Sequence, residues 1–134
     1  MLLKASREVA AGHVHVPLDR CRSPQLSKRA AQPFSDPTND LFLSVVPSWE
    51  IAAKHSLGRL QLPAPPDEFV PAQREAHGIA PLPLSEEEAL YVSRIPSLHR
   101  DPFDRMLICQ AVVNGFALLT PDALISQYSV RTLW

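Results

Sequence analysis

The sequence of 134 residues lacks the features that define disulfide-rich, zinc-binding and membrane-spanning proteins. Two cysteines are too few for a disulfide scaffold, and neither has the histidine or cysteine neighbours of a zinc site. No apolar run approaches the ~20 residues of a membrane span, and Lys4, Arg7 and Glu8 interrupt anything like a signal sequence. The formal charge of -1 disfavours a large phosphate-binding surface, although a short basic patch beside an acidic site remains compatible with it. We therefore expect a cytoplasmic protein with no membrane partner.

Length and composition predict one folded domain. A chain of 134 residues with 46% hydrophobic content can bury roughly two-thirds of its unfolded surface. Residues 1–24 are atypical, and whether they are ordered stays open. Their His13 and His15 would share one face of a short strand but have no third metal ligand in register. The domain proper is expected over residues 25–134.

The order of strand and helix patterns predicts the fold class. Apolar runs at 41–46 and 116–120 are typical of strands buried on both faces. Further strands are predicted at 79–84 and 130–134, whereas Leu2 and Leu3 make a run too short for one. The alternation with helices predicts an α/β sandwich with a mainly parallel central sheet flanked by helices.

The expected helices have recognisable start and stop signals. One is predicted from Ser48 as N-cap to Gly58, and a second over 67–77 with a break at Pro71. Ser85 and the acids that follow it form a capping box that leads into a third helix. A short helix is also expected near Leu26 and another after Asp122.

The strongest helix signal follows His99. Asp101 is a good N-cap, Pro102 suits the first helical position, and Asp104 falls at the third. Two carboxylates therefore meet the positive end of the helix dipole. Apolar residues then recur at helical spacing up to Asn114, which predicts one face in the core. Cys109 falls on that face and is interpreted as a small core residue.

Three acids are expected at one edge of the sheet. Glu50 follows the strand at 41–46, Asp122 follows the strand at 116–120, and Asp104 lies in the first turn of its helix. Function in such sheets collects beyond the carboxyl ends of the strands. Clustered carboxylates suit Mg²⁺ or Mn²⁺, which can activate a water for phosphodiester hydrolysis. Each acid taken singly is also explained as a helix-cap or first-turn charge, so their joint placement is the stronger evidence.

Four motifs carry a resemblance to a known family. They are Ser-x-x-x-Ser-Trp-Glu-Ile-Ala-x-Lys at 44–54, Leu-Gly-Arg-Leu-x-Leu-Pro at 57–63, His-Arg-Asp-Pro-Phe-Asp-Arg-x-Leu-Ile-x-Gln-Ala at 99–111 and Leu-Thr-x-Asp at 119–122. In this order they resemble a PIN domain, and more narrowly the VapC-type toxins of bacterial type II toxin–antitoxin pairs. The resemblance implies a PIN-like fold over 25–134 and a Mg²⁺-dependent endoribonuclease that acts on RNA. It also implies a cognate antitoxin as partner and a homodimer.

The resemblance also implies roles for individual residues. Glu50, Asp104 and Asp122 would be the catalytic acids and metal ligands. Asp101 would cap the helix beside them, and Thr120 would orient Asp122. Arg100, Arg105 and Lys54 are the residues that would contact the substrate's phosphates.

The chain departs from the family at its first strand. The family begins with a hydrophobic strand that ends in Asp-Thr, and that Asp is a principal metal ligand in the middle of the sheet. Asp19 is the only acid that could be proposed for it, and its context does not match. A shift of the reading frame would explain the loss, since residues 11–19 read one nucleotide later can encode Leu-Asp-Thr-Cys-Thr-Phe-Leu-Trp.

Three functional hypotheses therefore stay open. The first is the endoribonuclease, impaired by the loss of one acid. The second is a non-catalytic, degenerate toxin that binds its antitoxin or dimerises. The third is an α/β domain whose acids only cap helices.

Overall fold

A five-stranded sheet forms the centre of the computed structural model, which describes residues 2–6, 39–98, 100–120 and 122–133. The strands are β1 (Leu2–Ser6), β2 (Asn39–Ser44), β3 (Ala80–Leu82), β4 (Ala117–Leu119) and β5 (Arg131–Leu133), in the spatial order β3-β2-β1-β4-β5. The predictions for His13, His15, Asp19 and the helix near Leu26 lie outside the described residues.

Four of the five strands run in one direction. β2 pairs in parallel with β3, and β4 pairs in parallel with β5. β1 lies between the two pairs and is antiparallel to both β2 and β4, with Leu3 opposite Phe42 and Leu118. The prediction of a mainly parallel α/β sheet is therefore confirmed, and its exception is the central strand. The expectation that Leu2 and Leu3 are too short for a strand was wrong, because β1 extends to Ser6 and has a partner on each side.

Four α-helices and two short 3₁₀ helices connect the described strands. They are α1 (Val45–Ser56), α2 (Pro66–Ala76), α3 (Glu86–Leu90) and α4 (Pro102–Asn114), with 3₁₀ turns at Tyr91–Arg94 and Ile125–Gln127. α1 and α2 join β2 to its parallel neighbour β3, and α3 and α4 lead from β3 to β4. None of the helices in the described ranges is long and apolar enough to cross a membrane.

Helix α4 begins and ends where its sequence predicts. The carboxylate of Asp101 accepts a hydrogen bond from the backbone N–H of Phe103 at 2.9 Å, and Pro102 occupies the first turn. Gly115 ends the helix at a φ of 68°, a conformation that glycine adopts without steric cost. The capping box at Ser85 is confirmed in the same way, because its hydroxyl accepts from the N–H of Glu88 and the Glu88 side chain accepts from the N–H of Ser85.

Three predictions about helices were wrong: a start, an internal break and the presence of one α-helix. α1 is capped by Ser44 rather than Ser48, because the Ser44 hydroxyl accepts from the N–H of Val46 at 3.1 Å. Pro47 then falls in the first turn, where a missing N–H costs nothing. α2 runs through Pro71 without a break, and the segment after Asp122 forms only a 3₁₀ turn.

The core lies between the sheet and α4. A cluster of buried residues joins the helix to β4 and to the 3₁₀ turn that follows it; its members are Val46, Leu107, Ile108, Ala111, Leu118, Ile125 and Tyr128. Phe42 and Phe116 pack against this cluster and stack on each other, with their ring centroids 5.7 Å apart. All three residues of β4 are buried, which confirms the prediction of a strand covered on both faces.

We predict that Leu118→Ala lowers the free energy of unfolding by about 2–5 kcal/mol, because Leu118 is fully buried and its truncation leaves a cavity. Chemical denaturation measures the change. Leu90→Ala is the matched control: Leu90 is exposed, so its loss should change stability by no more than about 0.5 kcal/mol. Equal effects of the two substitutions would contradict the described core.

Candidate functional site

The site predicted from the sequence lies at the edge where the four codirectional strands end. β2 leads directly into α1 through Ser44, and β4 leads into the segment that carries Asp122. α4 turns back into β4 after Gly115, so it runs opposite to β4 and its first turn lies toward the same edge. The segments with Glu50, Asp104 and Asp122 therefore start on one side of the sheet, as expected for an α/β site.

Glu50 lies in the second turn of α1, not in the first turn as predicted, because α1 begins at Val45. Its carboxylate forms an ion pair with the ammonium group of Lys54 at 3.6 Å, one turn further along the helix. Lys54 is well exposed, so water screens the pair and it stabilises the helix by only a few tenths of a kcal/mol, roughly. Lys54, which the resemblance assigned to the substrate's phosphates, is thus placed beside an acid of the site.

The first turn of α4 holds Asp104, which is half-buried. Its backbone N–H donates to the Asp101 carboxylate at 3.4 Å, so Asp101 acts as the cap that the sequence predicted. The guanidinium of Arg105 donates to the carbonyl of Val92 at 3.3 Å. Arg100 is exposed and directly precedes the cap.

Asp122 follows β4 in a tight turn. Its carboxylate accepts from the N–H of Leu124 at 2.8 Å, and its own N–H donates to the hydroxyl of Thr120 at 3.1 Å. Thr120 is buried and therefore restrains the backbone on which Asp122 sits. The neighbour relation expected between these two residues is present.

Two aromatic rings bring the beginnings of α1 and α4 together. The Trp49 and Phe103 ring centroids are 5.3 Å apart, with a tilt of 34° between the ring planes. Each ring belongs to the residue immediately before a predicted acid, Glu50 or Asp104. The contact therefore places the chain segments of these two acids next to each other.

A buried polar network fixes α1, α3 and α4 behind this edge. The Ser44 hydroxyl donates to the side-chain carbonyl of Gln110, whose amide group donates to Glu88 and to the carbonyl of Pro83, each at 3.2 Å. Glu88 also accepts from the side-chain amide of Asn114. Water cannot reach the polar groups of this network, because Ser44, Glu88 and Gln110 are almost completely buried. The hydrogen bonds within the network therefore take the place of the bonds that these groups would make to water.

The motifs of the sequence do not predict this network. Gln110 belongs to one motif of the family resemblance, and Glu88 to the capping box. One signal was present: Gln110 lies at helical spacing from Phe103 and Leu107, which makes it a polar side chain on an apolar stripe. Such a residue needs a buried partner.

Cys109 is a core residue, as predicted. Its side chain is fully buried in α4 and it is a free thiol. Burial raises the pKa of the Cys109 thiol above its usual range, and the positive charge of Arg105 offsets only part of this effect. A buried thiol with a raised pKa is a poor nucleophile, which agrees with the interpretation of Cys109 as a core residue.

The described residues do not assemble a metal-binding group. No three histidine, cysteine, aspartate or glutamate side chains within the described ranges are placed so that they could hold an ion. The central strand adds no ligand to this edge, because Leu2–Ser6 contains no acidic residue. Glu50, Asp104 and Asp122 thus share an edge but do not fit one ion as placed, and their role as ligands stays a prediction.

We predict that Gln110→Leu lowers the free energy of unfolding by about 1–3 kcal/mol, because Ser44 and Glu88 lose a buried partner. Gln127→Leu makes the same chemical change at an exposed position and should be nearly neutral. Denaturant titration of both variants measures the difference. A Gln110→Leu protein as stable as the Gln127→Leu protein would contradict the network.

Comparisons with known proteins leave the family open. No protein-family model matches this chain, and neither does any curated protein or solved structure. A functional proposal therefore rests on the four motifs, their order in the chain and the edge of the sheet at which three of them meet.

Proposed function

We propose that this chain is a PIN-like domain of the VapC type and that it acts on RNA as an endoribonuclease. The observation that carries the proposal is the common edge of the sheet, where the segments bearing Glu50, Asp104 and Asp122 all begin. The four motifs of the resemblance occur in the family's order. A strand lies in the middle of the sheet, which is where the resemblance puts the family's first strand, but β1 runs antiparallel to both of its neighbours.

The proposed reaction is hydrolysis of a phosphodiester bond. Mg²⁺ or Mn²⁺ is the proposed cofactor, since such an ion activates water and neutralises charge on the phosphate when it is bound. Within the chain, the Asp101 cap and the Trp49–Phe103 contact hold the acid-bearing turns in place. The proposed contacts to the substrate's phosphates are Lys54, Arg100 and Arg105. Lys54 pairs with Glu50, Arg100 is exposed beside the cap, and Arg105 also donates to the carbonyl of Val92. A cytoplasmic location, a homodimer and a cognate antitoxin are part of the same proposal.

A second candidate function is a non-catalytic, degenerate toxin that binds its antitoxin or dimerises. Two observations favour it: the described acids do not form a group that could hold a metal, and β1 is reversed and brings no acid to the centre. Affinity for hard ions follows the number and charge of the ligands, so one missing acid is enough to weaken the site. This candidate predicts a folded chain with no metal response and no cleavage of RNA.

The first test is thermal unfolding with and without millimolar Mn²⁺. If the acids bind the ion in the folded state only, the melting temperature should rise, and Asp104→Asn should abolish the rise. Glu75→Gln is the matched control, since Glu75 is an exposed acid on α2. The absence of a shift in the unmodified chain would contradict the metal site and leave the second candidate.

The second test is cleavage of a single-stranded RNA in Mg²⁺. The nuclease proposal predicts cleavage that a chelator stops and that Asp104→Asn or Glu50→Gln reduces on the order of 100-fold or more, because either change removes a ligand charge. Gel analysis of the RNA fragments measures the rate, with Glu75→Gln again as the control. Cleavage that persists in the chelator, or in the Asp104→Asn variant, would exclude these acids as the cause.

A further inference from the structure

Trp49 is an exposed aromatic residue at the candidate site. Its relative exposure is 61%, although it belongs to α1 and directly precedes Glu50. The ring is nevertheless in contact with the half-buried Phe103 of α4. Most of the Trp49 surface is therefore exposed to solvent, while Phe103, which packs against the core cluster, holds the ring in contact with the rest of the fold.

An indole in this arrangement is suited to stacking. Contact with Phe103 restrains the Trp49 side chain, so a ligand that stacks on it has less conformational entropy to remove. Every nucleobase has a flat π-face, and unpaired bases are recognised mainly through stacking on exposed aromatic side chains. In a duplex the same faces are covered by the neighbouring bases, so the site selects single strands.

Two cations lie close in sequence to the two contacting rings. Lys54 lies on α1 little more than one turn beyond Trp49 and is 60% exposed. Arg100 is exposed and precedes Phe103 by three residues. Because Lys54 is paired with Glu50, Arg100 is the cation that a strand whose base lies on Trp49 would meet through a phosphate.

We propose that Trp49 is the stacking platform for an unpaired nucleobase of the RNA, beside the acid-bearing turns of α1 and α4. The inference deepens the proposed function and rests on its RNA substrate, but it does not require cleavage. Trp49 is a substrate-positioning residue in this scheme. It takes no part in proton or phosphoryl transfer.

Fluorescence provides the direct test, because the chain has two tryptophans. In a Trp134→Phe protein all indole emission comes from Trp49. Titration with a short single-stranded RNA in a chelator, which prevents cleavage, should quench this emission and saturate. The same RNA annealed to its complement should quench it much less.

Substitution of Trp49 tests the contribution to affinity. We expect Trp49→Ala to weaken binding of the single-stranded RNA by about 5- to 150-fold, the range of one base stacked on an aromatic ring. Trp49→Phe should restore most of the affinity, because it keeps a π-face. Leu57→Ala removes an equally exposed apolar side chain from the other end of α1 and should leave binding unchanged. Circular dichroism establishes that each variant is folded.

The outcomes separate this inference from the proposed nuclease. Quenching with a Trp49-dependent affinity, but without cleavage in Mg²⁺, supports the platform and rejects the nuclease. Cleavage with the same affinity in Trp49→Ala as in the unmodified chain overturns the platform and leaves the nuclease. If Trp49→Ala changes the oligomeric state and not RNA binding, the ring belongs to an interface between copies and the inference is overturned.

Discussion

The hydrogen bond between Ser44 and Gln110 links the parts of this fold that the candidate site requires. Ser44 is the last residue of β2 and the cap of α1, and it therefore fixes where the helix with Glu50 begins. Gln110 lies in the middle of α4, whose first turn holds Asp104. This buried contact therefore joins the two acid-bearing helices, together with the contact between Trp49 and Phe103. Glu88 extends the constraint to α3, so three helices share one polar anchor in an otherwise apolar interior.

Much of the fold follows from local sequence signals. Asp101, Pro102 and Gly115 set the bounds of α4, since each residue type is suited to its position by backbone chemistry alone. The buried strands β2 and β4 follow from continuous apolar runs. The start of α1 was predicted wrongly because a tertiary contact selects between two residues that are both suited to cap the helix. Ser44 and Ser48 are both acceptable caps, and the partner that selects Ser44 lies 66 residues away along the chain.

The site was predicted less well than the fold. Placing Glu50, Asp104 and Asp122 on one edge needs only parallel strands connected by helices, which the alternation of strand and helix patterns indicates. Bringing carboxylates within reach of one ion depends on side-chain positions and on the strand at the centre of the sheet. That strand was not predicted, because five residues with one internal charge have no clear alternation. Its reversed direction depends on pairing with β2 and β4, which no local pattern encodes.

The position of β1 also has a consequence for the order of folding. Each parallel pair, β2 with β3 and β4 with β5, is closed by a connection within its own part of the chain. Among the described strands, β1 alone joins the two pairs, and Leu3 reaches both Phe42 and Leu118. Leu3 and Phe42 are 39 residues apart, much like Phe42 and Ala80 within the β2–β3 pair, whereas Leu3 and Leu118 are 115 residues apart. The β1–β4 pairing therefore closes last, because the entropy of the longest loop must be lost first. The β3-β2-β1 part and the β4-β5 pair should therefore form before they join, and until then the free edges of β1 and β4 are open to pairing with other chains.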